Sequence, residues 1–477
     1  MSPSSDALPS KPLLPRSLRE LLYGDATVNT REEELEAIAL IDLAHISMLE
    51  KQKFLSSEIA RSLSEEIRGL IRSAFQDVRG SQANRGTYIL WEEALQRRLG
   101  PVGGSAHLFR SRNDLNASVS RLRLRRPVLR LLMEYSRLFR AMRKKAELWR
   151  EVAGSAYTHF QPAQPTTMGH TVCGWLTALF RDVEGIMHSL GDLDICPLGA
   201  GAVTGTNQEI DCSFVAQKLG FTSVALNSLD AVASRDFALR ILSACAISTV
   251  TLSRIASDML LWSSLEYGFL RLPDELVGAS SQMPQKRNPF LLEHVQSRAS
   301  SCVGTFVSAS TAMHSKPFTN SISVGTEGIR HVREAVDDLT SVCRILRYVF
   351  RGAELNFHKL EESLQRSPIA ATEVANELAR EYGLPFRDAY KQVASVVNPS
   401  NDDRGNEGGG EMASVVKELL MKVELRKLPL TQEFGGGPGR LSMGCQLSTL
   451  RERHTILNQF VQNHRRRYRR AYRELLN

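Results

Sequence analysis

Aromatic residues make up only 7% of this chain, and its cysteines number seven. Seven cysteines scattered over 477 residues build no disulfide framework, and an odd count leaves one without a partner. No apolar run approaches the ~18 residues of a membrane-spanning helix, so no membrane span is expected. The opening stretch MSPSSDALPSKPLLPR lacks the apolar core of a secretory signal. These absences point to a reducing, cytoplasmic setting. What is present is an ordinary globular composition, 42% hydrophobic, sufficient for a buried core. At about 100–200 residues per domain, the length allows several domains or one large core with appendages. Lys and Arg total 60 against 52 Asp and Glu, a formal charge of +8. That surplus suits nucleic acid, an anionic surface or an acidic substrate, and composition leaves all three open.

Helical periodicity dominates the chain. Between 119 and 149, Val119, Leu122, Val128, Leu131, Leu132, Tyr135, Leu138, Phe139, Met142 and Trp149 recur at three- and four-residue steps, with Arg and Lys on the other face. Pro127 interrupts the pattern and predicts a kink or a restart. Residues 235–262 are apolar or small around most of the circumference, as in a helix buried inside a bundle or between subunits. No succession of alternating strands and no internal repeat is visible. The Ser- and Pro-rich residues 1–16 read as a mobile tail, and PSNDDRGNEGGG (399–410) as a flexible loop. FGGGPGR (434–440) reads as an exposed turn, and the basic run NHRRRYRR near the C-terminus as a solvated helix end, with nucleic-acid contact not expected.

The chemistry concentrates in GASSQMPQKRNPFLLEHV (278–295). Its first half suits a mobile loop. In its second half Asn288 is a candidate N-cap and Pro289 a candidate first helical residue, with Phe290, Leu291, Leu292 and Val295 directed toward a core. Ser, Lys and Asn gathered at a helix N-terminus suit an anion, although a Ser-rich capped turn has the same spacing. No His/Cys cluster has metal-ligand spacing and no Gly-rich loop has a phosphate-binding pattern, so neither metal nor cofactor is indicated.

SSQMPQKRNP resembles the signature of the fumarase/aspartase superfamily, Gly-Ser-Ser-x-Met-Pro-x-Lys-x-Asn-Pro, with Ala279 in place of its Gly. LFRSRND (108–114), AYTHFQPAQPTTMGH (156–170), PLGAGAVTGT (197–206), NSLDAVASRDF (227–237) and GLPFRDAY (383–390) are similar to the argininosuccinate lyase branch. The resemblance implies an all-α subunit of three domains, drawn here at 17–115, 116–365 and 366–477. Its long central helices would form a twenty-helix core in a homotetramer, with each active site assembled from three subunits. The activity implied is carbon–nitrogen elimination, releasing fumarate and an amine from an N-substituted aspartate. Ser280 matches the general base, His159 the histidine that assists proton transfer, and Glu293 its carboxylate partner, which fixes the imidazole tautomer. Lys286 and Asn288 match groups holding the carboxylate that becomes dianionic. Ser111, Asn113 and Thr158 match ligands of the substrate carboxylates, with Arg112 close to them. Asp114 is expected to tie down its segment as a cap, Gln164 to support the site from behind, and Arg287 to add general positive potential.

The departures fall at substrate recognition. Where the branch carries Tyr, Gln and Lys in a stretch like Ala-Tyr-Asn-x-Asp-Leu-Gln-Glu-Asp-Lys, this chain reads PFTNSISVGTEG (317–328). Glu92 lies near an expected histidine, Phe109 replaces a glycine with expected reshaping of the pocket, and 21–30 align poorly. The fumarate-forming half is thus intact and the amine half rebuilt. A different N-substituted aspartate is the first expectation, authentic argininosuccinate cleavage the second, and a non-catalytic structural relative the contrasting class.

Overall fold

The computed structural model describes residues 28–79, 86–398 and 410–477. The tail expected at 1–16, and all but the last residue of the loop expected at 399–410, lie outside the described residues.

Helices α1 (Val28–Lys51), α2 (Ser57–Arg72) and α3 (Thr87–Leu99) gather around an apolar cluster that includes Leu35, Ile38, Ile41, Leu63, Ile67 and Trp91. Five long helices follow: α4 (Arg112–Leu148), α5 (Met168–Asp192), α6 (Asp236–Ser263), α7 (Phe290–Met313) and α8 (Val332–Gly352). Each packs on the next and α8 returns to α4, so they close a ring. Fully buried Leu131, Tyr135, Leu176, Ile241, Val295 and Leu346 fill it. Apolar stripes at helical spacing leave such faces one way to escape water, against each other. A smaller cluster joins Val374 and Leu378 of α9 (Ala371–Glu381), Ala389 and Val393 of α10 (Phe386–Val397) and Val416 of α11 (Glu411–Lys422). The last helix, α12 (Arg440–Leu476), lies along the ring and inserts Met443, Leu447, Leu450, Leu457 and Val461 into the core of the ring.

Several expectations change. Pro127 causes no restart, because α4 is one helix of 37 residues. The proline forgoes one backbone bond, a cost of ~3 kcal/mol, but Val128, Leu131 and Leu132 immediately beyond it are fully buried and hold the helix together. The basic face of α4 is not all solvated. Arg121 is buried with its guanidinium over the Phe237 ring, and Arg125 is buried over Phe221 and Tyr468 while paired with Asp194 at 3.0 Å. The basic run is likewise more than a solvated end. Arg467 pairs with Asp194, the Tyr468 hydroxyl donates to Asp194 at 2.7 Å, and the Tyr472 hydroxyl donates to Glu36 at 3.0 Å. Asp194 is 1% exposed, so these contacts clamp α12 to the ring through a desolvated acid.

By length and composition α6 is apolar enough to cross a membrane, which its short uninterrupted runs do not convey. Inside the ring that apolarity covers α5, α7 and α8. One face stays open: Ile247 and Val250 on α6 and Val307 on α7 are 60%, 51% and 56% exposed. A two-stranded hairpin also interrupts the helices, β1 (Ala153–Thr158) against β2 (Gln161–Thr167), joining α4 to α5.

Candidate active site

The residues expected to hold substrate carboxylates start α4. Ser111 is its N-cap: the hydroxyl accepts from the Asn113 amide at 3.2 Å, and the Ser111 amide donates to Asp114 at 3.0 Å. This reciprocal pair satisfies two of the donors a helix start leaves unpaired. The other oxygen of Asp114 accepts from the amides of Gly199 (3.2 Å) and Gly201 (3.0 Å), tying the 197–206 turn to the helix start. Gly199 has φ +100°, and a Cβ there would meet Cys212 Sγ at 2.2 Å, so only glycine fits. Asp114→Ala is expected to cost about 2–4 kcal/mol, as a lost cap plus two stranded amides. A urea unfolding curve checks it; a midpoint like that of the parent would show the turn is held elsewhere.

Asn113 bridges two segments. Its amide group donates to the Ala202 carbonyl at 3.1 Å, and its side-chain oxygen accepts from the Asn320 amide group at 2.8 Å. The 317–328 segment, where the sequence departs from the family, therefore abuts the α4 corner. Sequence reasoning did not single out Asn320, because a lone Asn in a variable stretch carries no periodic or motif signal. Arg112 is exposed at the same corner.

Phe109 has φ +60°, the conformation in which glycine is comfortable, so a side chain stands where the backbone favours none. Its ring packs edge-on against Phe54, 4.8 Å between centroids, on the N-terminal cluster. Beneath this segment lies a buried polar group. Arg110 pairs with Asp42 at 2.5 Å, Trp91 donates to Asp42 at 2.7 Å, and a His45 ring nitrogen meets the Leu108 carbonyl at 2.7 Å. Glu92 is partly buried, and its carboxyl is pushed up by desolvation and by Asp42.

Burial, with the Arg110 charge, pushes the His45 imidazole from its ordinary 6.5 down to about 3. The unfolded chain therefore binds a proton near pH 6.5 that the folded chain refuses until about pH 3. Stability from this group is present above pH 6.5 and is lost as pH falls toward 3. Urea midpoints measured from pH 7 downward should decline, and His45→Gln should flatten that decline. An unchanged slope in the variant would assign the acid sensitivity to other groups.

His159 stands at the tip of the hairpin. Thr158 pairs with Gln161, leaving His159 and Phe160 as a two-residue turn with φ +50° and +60°. A turn of this hand normally calls on Asn or Gly, and a side chain there costs ~1 kcal/mol or more. Thr158, His159 and Gln164 are exposed, and Phe160 is 76% exposed. The hairpin thus holds a histidine outward at some cost in strain, a pattern met at functional sites.

The signature loop is pinched at its neck by a pair of bonds between Gly278 and Asn288, amide to carbonyl at 2.8 and 3.0 Å. Asn288 does not cap α7. Its backbone is spent on this bridge, Pro289 takes the cap position without a side-chain bond, and the helix starts at Phe290. Leu292 and Val295 enter the core as expected, whereas Phe290 is 38% exposed. Ser280 Oγ accepts from the Met283 amide at 3.0 Å and the Gln282 amide at 3.4 Å. Lys286 and Glu293 are exposed. Arg287 is not free positive potential, since it pairs with Asp274 and donates to the Leu272 carbonyl at 2.7 Å, anchoring the loop.

Within one chain, the described residues show no hydrogen bond or ion pair between any two of the three segments 108–114, 156–170 and 278–289. His159 and Glu293 are likewise unlinked. Each segment is built separately.

Residues 48–304 match the family described as Lyase, and 369–407 the one described as Argininosuccinate lyase C-terminal. An argininosuccinate lyase of Methanothrix thermoacetophila is 33% identical over 79% of this chain and 78% of its own length. The chain belongs to the argininosuccinate lyase branch of the fumarase/aspartase superfamily. Among solved structures, an EDDS lyase double variant with bound fumarate matches this branch member at 25% identity, with a TM-score of 0.82 over 93% of this chain and 91% of that one. A class II fumarase from Schistosoma mansoni, 17% identical with a TM-score of 0.71 over 88% and 96%, shares the fold. The all-α fold implied by the signature is thus the fold of this lyase family.

Proposed function

We propose that the protein is a fumarate-releasing carbon–nitrogen lyase that eliminates an amine from an N-substituted aspartate. The observation that carries this reading is the signature loop, which presents Ser280, Lys286 and Asn288 in the order of the superfamily signature. Elimination removes a proton from the carbon beside a carboxylate, so charge accumulates on a group already anionic. Ser280 takes the proton. A free hydroxyl is a poor base, but the amides of Gln282 and Met283 point at its oxygen, and donors to an oxyanion favour the ionised form. Lys286 and Asn288 hold the carboxylate as it becomes dianionic. Ser111, Arg112, Asn113 and Thr158 bind the remaining carboxylate oxygens, with Gln164 supporting them from the second strand of the hairpin. His159, oriented by Glu293, assists the proton to the departing amine.

Because the three segments stand apart in one chain, we infer that the site is composite and that the subunit works as a homotetramer. Support comes from the open apolar face of α6 and α7 at Ile247, Val250 and Val307, which a neighbour's helices would cover. The seven cysteines are all unpaired thiols, which supports a cytoplasmic setting.

The amine half differs from that of the branch. None of the Tyr, Gln and Lys expected there survives in PFTNSISVGTEG (317–328), and Asn320 of that stretch is engaged with Asn113. This favours an N-substituted aspartate other than argininosuccinate; the names of the relatives favour argininosuccinate itself. Ultraviolet absorbance of fumarate, followed across a panel of N-substituted aspartates that includes argininosuccinate, decides between them. Release from a panel member well above the argininosuccinate rate is expected. Silence from every member, with the oligomer intact, would leave a structural relative.

A further inference from the structure

We propose that a groove between α1, α4 and α12 is a second ligand site, separate from the catalytic segments, for a small molecule bearing adjacent phosphate groups. The groove encloses about 800 Å³, within the usual span for a site of nucleotide size. Arg465, Arg469 and Arg473 line one wall at four-residue spacing, a single stripe of α12 whose backbone positions rise about 6 Å per step along the axis. Arg123 and Arg126 face them from α4. Arg126 is neutralised by Glu36, two bonds at 2.8 and 3.2 Å. Arg123, Arg465, Arg469 and Arg473 have no acidic partner among the described residues, and Arg123 Nε is closed off from water without a hydrogen-bond acceptor.

Four uncompensated guanidinium groups around one concavity repel each other, and a concave low-dielectric wall concentrates their field. An anion with several oxygens relieves that repulsion, and the planar guanidinium fork matches phosphate in particular. The stripe is about 12 Å long, the reach of an oligophosphate and short for a track of nucleic acid. Arg123 lies eleven residues after Arg112 on the same helix, so the groove sits about 16 Å along α4 from the carboxylate-binding corner.

The test uses the full-length protein and inorganic tripolyphosphate, read by calorimetric thermal denaturation against sodium chloride of matched ionic strength. Tripolyphosphate should raise the midpoint in a concentration-dependent manner that chloride does not reproduce. Arg465→Gln combined with Arg469→Gln, which preserves helix propensity, should weaken the response by roughly tenfold or more per arginine. Ser280→Ala should leave it unaltered. ATP acting at lower concentration than tripolyphosphate would identify a nucleotide, and equal potency would identify the phosphates alone. A response matched by chloride, an unaltered response in the double variant, or binding of single-stranded DNA without binding of tripolyphosphate would each overturn the proposal.

Discussion

Replacing Ser280 by alanine should lower fumarate release by about 10²–10⁴-fold while the oligomer stays intact. The two halves of that expectation have separate grounds. Loss of rate follows from losing the only hydroxyl in the signature loop whose oxygen is met by two backbone amides, those of Gln282 and Met283. An alkoxide formed there is stabilised before substrate arrives, which Ser281, with no such bonds, cannot reproduce. Preservation of assembly follows from the same geometry, because the hydrogen bonds of the Ser280 side chain stay within its own turn, and the Gly278–Asn288 bridge and the Arg287–Asp274 pair hold the loop without it. Steady-state turnover together with size-exclusion chromatography checks both. A full rate in Ser280→Ala would move the base to another residue. Loss of the oligomer would show that the loop is a scaffold element.

The elements most legible in the sequence are those whose information is local. The stripe from Val119 to Trp149 marks α4, and Asp114, expected to cap its segment, does so at the start of that helix, because a cap acts within about four consecutive residues. The hairpin was hidden for the converse reason. Its turn is His-Phe, where the usual signal is Asn-Gly, and Pro162 and Pro165 in β2 read as breakers. Its strands are recognisable only once α4 and α5 are seen to hold their ends. Likewise NHRRRYRR reads as solvent-facing until Asp194, more than 260 residues earlier, is found beneath Arg467 and Tyr468. Asn288 shows a third kind of failure, since its side chain suits a cap but a bridge to Gly278 at the other end of the loop claims its backbone first. The residue types of the candidate site were legible because the chemistry needs them in a fixed order within short segments. The contact of Asn320 with Asn113 was not, because it joins segments 207 residues apart.

A mixture of two inactive variants should regain activity, and this follows from the segments standing apart. Suppose Ser280→Ala chains and His159→Asn chains are each nearly silent. If loop and hairpin tip met within one subunit, every site in a mixed assembly would carry one defect, and mixing would restore nothing. If each site instead draws its loop from one subunit and its hairpin from another, a random one-to-one assembly leaves the loop intact in half the sites and the hairpin intact in half of those. Roughly a quarter of sites then regain both groups, a gain of some hundredfold over either variant alone. The exposed strained tip at His159 and Phe160 favours that outcome, because the described residues of its own chain offer His159 neither Glu293 nor the signature loop. Co-refolding the two variants and timing fumarate release measures the recovered fraction. Recovery near a quarter of the parent rate fits a shared site, and none at all would return the whole site to a single chain.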